Sequence, residues 1–62
     1  MNYLELNTFL ESDNPQDVAR ETITTVGSLI DRLSMYDSNL KVVVSQGKKY
    51  GGIGGTTLHE EF

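Results

Sequence analysis

The sequence has no cysteine and no tryptophan, and only one proline and one histidine among its 62 residues. The absence of cysteine excludes disulfide bonds and thiolate metal sites. The single histidine, His59, excludes a metal site built from several imidazole rings. A domain of this length rarely gains more than about 3–5 kcal/mol from its own core. Self-association or a partner is therefore the expected source of additional stability.

Long apolar runs are also absent. The longest, Val42–Val44, is far shorter than the roughly 20 residues that a transmembrane helix needs. No basic segment followed by an apolar run marks a signal peptide. We therefore expect one small domain over residues 1–62, located in the cytoplasm.

Positive charge is scarce, because nine acidic residues face five basic ones and the net charge is -4. Phosphate contacts dominate affinity for nucleic acids, so this balance argues against binding to a duplex. The charge is also uneven: residues 1–37 are acidic, whereas residues 38–58 contain three lysines and no acid. This asymmetry is compatible with orientation of a protein partner and with charge that serves solubility only.

The first segment, residues 2–11, fits two patterns. Every second residue from Leu4 to Leu10 is leucine or threonine, which predicts one face of a strand. Tyr3, Leu6 and Leu10 also fit a helical stripe. We favour the strand because asparagine, threonine and aromatic residues weaken the helix. Pro15 suits a first helical position, so a short helix over residues 15–21 is compatible with the next segment.

The clearest helix is predicted over residues 26–36. Thr25 is a good N-cap, and Ser28 stands where glutamate would complete a capping box. Gly27 in the first turn weakens the helix by up to about 1 kcal/mol. The apolar residues recur at helical spacing and form one face: Val26, Leu29, Ile30 and Leu33.

The rest of the chain is predicted to form strands over residues 40–45, 48–53 and 56–62. The valine run suits a pleated sheet, and Gly47 suits a turn between the first two strands. The fold class is therefore α+β, with one amphipathic helix on a small antiparallel sheet and residues 2–11 as a candidate further strand. The expected core is Val26, Leu29, Ile30, Leu33, Tyr36, Leu40, Val42, Val44, Ile53 and Leu58. Val43, with Tyr3, Leu6 or Phe9, remains for an interface, which argues for a homo-oligomer.

A family resemblance rests on the segment from Thr25 to Leu33, then Tyr36, then Leu40–Val44 and a glycine turn. This order resembles small, mostly uncharacterised phage and prophage proteins, and it covers residues 24–62. The resemblance implies a helix-plus-hairpin unit from a mobile element. Such proteins act as accessory factors, as inhibitors of host enzymes or as counter-defence proteins.

The segment 48–57 contains two lysines and four glycines around Ile53. Glycines let consecutive amides face one anion, and lysines add positive charge, so the segment is a candidate nest for phosphate. The spacing matches neither a P-loop nor a dinucleotide-binding motif. A flexible loop and an oligomer contact are the alternatives. The candidate ligand-binding residues are Lys48, Lys49, Tyr50, Gly52, Gly54, Gly55, Thr56 and Thr57.

A second candidate surface consists of Asp13, Asp17 and Glu21, which form an acidic stripe if they lie on a helix. It is either a solvated face or a docking surface for a basic partner. His59 and Glu61 share one side of a strand, but two ligands make a poor metal site. No catalytic residue, metal site or cofactor is expected, because no nucleophile, base and orienting group can be assembled.

Two functions remain as hypotheses. The first is a non-enzymatic phage-type accessory protein that binds and inhibits a host defence protein. The alternative is a homo-oligomer that sequesters a nucleotide or another phosphate ligand through residues 48–57. Neither hypothesis involves a membrane or duplex nucleic acid.

Overall fold

The computed structural model of the chain describes residues 1–45, 47 and 49–61. The elements in chain order are β1 (Tyr3–Ser12), α1 (Pro15–Glu21), α2 (Val26–Leu33), β2 (Lys41–Val44) and β3 (Tyr50–His59). The predicted α+β class is confirmed, and so is the strand predicted in residues 2–11. The helix predicted over residues 26–36 ends earlier, at Leu33.

The three strands form one mixed sheet in the order β2-β1-β3. β1 lies in the centre, pairs with β2 in parallel and pairs with β3 in antiparallel orientation. The prediction of a wholly antiparallel sheet with a hairpin between residues 40–45 and 48–53 is therefore wrong. The helices separate β1 from β2 in the chain, and such a crossover returns the chain in the same direction.

The glycine-rich segment forms one strand rather than the two predicted over 48–53 and 56–62. β3 is continuous from Tyr50 to His59, and no described glycine has a positive φ. Irregularities in the pairing absorb the misfit, since the register shifts between Asn7 and Thr8 and between Phe9 and Glu11. At the second shift Leu10 has φ 61°, the left-handed conformation of an unpaired bulge residue.

Both helices begin at side-chain caps. Asn14 accepts a hydrogen bond from the Gln16 amide at 2.9 Å, and Pro15 occupies the first helical position, as expected for α1. At α2 the Thr25 side chain accepts from the Ser28 amide at 3.1 Å, and the Ser28 hydroxyl accepts from the Thr25 amide at 2.9 Å. Serine therefore completes the capping box that the sequence predicts only in half. Neither helix in the described residues has the length and apolar character needed to cross a membrane.

The buried core is much smaller than the sequence predicts. Leu4 on β1 is 2% exposed and Val18 on α1 is 8% exposed, and they are the only buried hydrophobic side chains among the described residues. The predicted core is wrong for six residues, which are exposed: Val26, Ile30, Leu33, Val42, Val44 and Leu58. The other four, which are Leu29, Tyr36, Leu40 and Ile53, are partly buried.

The described chain is thin and wide, with extents of 39 × 25 × 13 Å. Its accessible surface is 4909 Å², whereas a compact monomer of the same mass exposes about 4000 Å². The excess of about 900 Å² arises because one small sheet and two short helices leave most apolar residues uncovered. The described chain is therefore less compact than an average monomer of its mass.

Candidate functional site

The polar cluster of the molecule lies on one face of the sheet. Because side chains alternate along a strand, Leu4 and Glu5 of β1 point to opposite faces, which we call the Leu4 face and the Glu5 face. Four side chains meet on the Glu5 face, and we call this group the Glu5 cluster: Tyr3, Glu5, Ser45 and His59. The central strand thus joins residues from near both edges of the sheet.

Glu5 is the centre of this cluster. Its Oε1 lies 2.7 Å from His59 Nε2, and its Oε2 accepts a hydrogen bond from the Ser45 hydroxyl at 2.6 Å. The Tyr3 and His59 rings stack with centroids 4.6 Å apart and an interplanar angle of 14°. The hydrogen bonds from Ser45 and His59 lower the pKa of Glu5 below its ordinary 4.5, because both stabilise the carboxylate.

The arrangement of the Glu5 cluster suits structure rather than acid–base catalysis. Ser45 and His59 each bond to a different oxygen of Glu5, so the histidine is not placed to take a proton from the serine hydroxyl. Among the described residues, no three histidine, aspartate or glutamate side chains converge to hold a metal ion. The cluster links β1 to β3 and to the residue after β2.

The candidate phosphate segment is extended along β3. A nest requires a turn or a residue in the left-handed conformation, whereas Gly52, Gly54 and Gly55 lie in β3 and have no positive φ. The two hydroxyls are already bonded, Thr56 to the Tyr36 hydroxyl and Thr57 to Asn7 Nδ2, each at 2.8 Å.

The basic end of the same segment faces acids. Lys49 Nζ lies 3.9 Å from Asp13 Oδ2, and Lys49 shares a groove with Glu11. Tyr50 is exposed at the start of β3. Lys48 lies outside the described residues. Nearby carboxylates oppose the approach of a phosphate, because like charges repel.

The acidic residues Asp13, Asp17 and Glu21 do not form a single stripe. Asp17 and Glu21 lie one turn apart on α1, whereas Asp13 precedes the cap of the helix. Asp17 Oδ1 accepts from Arg20 Nη2 at 2.8 Å, so part of its charge is compensated. Asp17 and Glu21 line a shallow groove with Glu11 and the exposed Leu10.

Two groups of exposed apolar side chains lie on α2 and β2. The α2 apolar face consists of Val26, Ile30 and Leu33, and the first two are 78% and 60% exposed. Met35, just after the helix, is also exposed. The three valines of β2 are between 43% and 60% exposed, and β2 is an edge of the sheet.

Sequence reasoning missed Glu5 and Ser45, and it considered His59 only together with Glu61. The alternation from Leu4 to Leu10 does place Glu5 on the opposite face from the leucines. Its partners depend on a parallel pairing between β1 and β2 and on a register that aligns Tyr3 with His59. The sequence pattern contains no signal for either.

Comparison with protein-family models, with curated proteins and with solved structures found no match to this chain.

Proposed function

We propose that the chain is a non-enzymatic accessory protein of phage type that binds a host defence protein and inhibits it. The observation that carries this proposal is the α2 apolar face, which has the regular spacing of a buried helix face and yet is left open. Large contiguous apolar patches are uncommon on monomers and mark interaction sites. The occupant we propose is a protein, because apolar side chains recognise apolar protein surface rather than phosphate.

Charge supports a basic partner. The net charge is -4, and Asp17, Glu21 and Glu11 line one groove beside α1. Complementary charge speeds encounter and fixes orientation. Binding would cover the α2 apolar face while α1 orients the partner.

The test uses one variant on the α2 apolar face and one control beside it. Ile30→Lys places a lysine in the middle of the apolar face. Asp31→Lys places one on the neighbouring, polar side of the helix and makes the larger change in charge, so a greater loss of affinity at Ile30 reports the apolar face. A partner captured from bacterial lysate by the wild-type chain is purified and titrated against all three proteins. We expect Ile30→Lys to weaken binding at least tenfold and Asp31→Lys to weaken it less. Equal affinity of all three chains would refute the role of α2.

The alternative proposal, sequestration of a nucleotide or another phosphate ligand by residues 48–57, has weaker support because Lys49 faces Asp13. A thermal-shift series with mono-, di- and cyclic nucleotides tests it, since a ligand of the native state raises the melting temperature. No shift at millimolar nucleotide would remove this alternative.

A further inference from the structure

The outer edge of β2 has unpaired backbone groups. The Ser45 amide donates to the Leu6 carbonyl at 2.9 Å, so the peptide groups of Ser45 point toward β1. N–H and C=O directions alternate along a strand, so the peptide groups of Val43 also point toward β1, and those of Val42 and Val44 point away from it. No described strand pairs with that side of β2.

We propose that two copies of the chain pair through β2 in antiparallel orientation, so that two three-stranded sheets join into one six-stranded sheet. A two-fold axis at Val43 places Val42 opposite Val44 of the second copy and Val44 opposite Val42. Both outward-pointing residues of each strand then make paired backbone hydrogen bonds, four in all. An axis at Val42 would instead require the Leu40 amide, which already donates to the Asp37 carbonyl at 3.1 Å.

The side chains agree with this register. Val42 and Val44 align with Leu4 and Leu6, so all four lie on the Leu4 face. The join therefore brings four valines together there, two from each copy. On the Glu5 face, Val43 lies opposite Val43 of the second copy.

Charge is also complementary across the join. Lys41 lies opposite Ser45 of the second copy. The hydroxyl of that serine donates a hydrogen bond to Glu5 of its own chain. Lys41 makes no ion pair within the described part of its own chain. The second copy thus supplies a carboxylate beside this lysine, and no like charges face each other within residues 41–45 of the two copies.

The edge position of β2 also agrees with a dimer. The chain leaves the valines of β2 exposed on both faces of an edge strand, a feature that otherwise promotes aggregation. Pairing with a second copy covers the open backbone edge of this strand.

The register is tested by single cysteines, since the chain has none of its own. At Val43 the two Cα atoms would lie about 4.5 Å apart, as in a non-hydrogen-bonded pair, within the range that a disulfide spans. At Val42 or Val44 the two copies of the residue are diagonal neighbours about 7–8 Å apart. We expect Val43→Cys to form a crosslinked dimer at least tenfold faster than Val42→Cys or Val44→Cys. Equal rates, or a faster reaction at Val42 or Val44, would overturn the proposal.

The second measurement is the solution mass by light scattering. We expect a value that rises with concentration toward 13.8 kDa, twice the chain mass of 6.9 kDa. Val44→Pro removes an outward N–H without removing a bond to β1, and it should raise the dissociation constant at least about tenfold. Val44→Ile keeps the N–H and a β-branched apolar side chain, so it should dimerise like the wild type. A monomeric mass for the wild type at millimolar concentration would refute the dimer.

The dimer does not depend on the proposed function, because the α2 apolar face and β2 are different surfaces. Ile30→Lys should lose the protein partner and retain the Val43→Cys crosslink. Loss of crosslinking with partner binding intact would refute the dimer alone.

Discussion

Replacement of Leu4 by alanine is the most direct test of where the core lies. Leu4 is 2% exposed, and leucine-to-alanine changes at buried sites cost about 2–5 kcal/mol. Its register partners, Val42 and Leu58, are themselves exposed, so the site can partly collapse and the lower end, about 2–3 kcal/mol, is expected. A core of this size rarely supplies more than about 3–5 kcal/mol. Roughly half of the stability or more should therefore be lost.

The assay is urea unfolding followed by circular dichroism at low micromolar protein. With a denaturant dependence of about 1 kcal/mol per molar urea, Leu4→Ala should lower the midpoint by about 2–3 M or abolish the transition. Ile30→Ala is the matched control, because an exposed substitution changes stability by no more than about 0.5 kcal/mol. The reasoning fails if Leu4→Ala shifts the midpoint by less than about 0.5 M, or if Ile30→Ala costs more than Leu4→Ala.

Three further predictions concern the Glu5 cluster, the glycines and a helix cap. The lowered pKa of Glu5 means that its stabilisation is complete above about pH 4.5 and is lost as the pH falls through the lowered value. The midpoint gap between the wild type and Glu5→Gln should therefore shrink as the pH is lowered below 4.5, and a gap that stays constant as the pH falls would contradict this. Gly27→Ala should stabilise by up to about 1 kcal/mol, since an added Cβ meets nothing within 4 Å. Gly52→Ala should destabilise by about 1 kcal/mol, because its Cβ would lie 2.9 Å from Thr22 Oγ1. The melting temperature should therefore rise in Gly27→Ala and fall in Gly52→Ala. Thr25→Ala should cost about 1 kcal/mol by removing the N-cap of α2, and an unchanged melting temperature would exclude a role for the capping box.

Local patterns predicted the elements of the fold better than their arrangement. Alternation in residues 2–11, the Pro15 position and the Thr25 cap each depend on neighbours within a few residues, and each corresponds to an observed element. Strand pairing depends on residues far apart in the chain. The valine strand was expected to pair with the segment that follows it, but it pairs with β1 instead.

The core was predicted poorly for a related physical reason. Apolar spacing on α2 identifies which residues could be buried together, but it does not state that anything covers them. Ile30 has the pattern of a core residue and is 60% exposed. Val18, in a short segment with little apolar periodicity, is buried. Spacing predicts a face, and burial depends on the layer that packs against it.

The candidate site shows the same limit. His59 was visible as the only histidine, but its partner Glu5 is 54 residues away in the chain. The candidate phosphate segment was predicted from composition alone, and composition does not distinguish a glycine loop from a glycine-rich strand.

The central position of β1 has a consequence for the rate of folding. Its residue Tyr3 pairs with Lys41 on one side and with His59 on the other, so both ladders of the sheet join residues far apart in the chain. Closing such long loops costs conformational entropy before the pairing returns any stabilisation. The two helices depend on local contacts and are therefore expected to form before the sheet, whose pairing limits the folding rate.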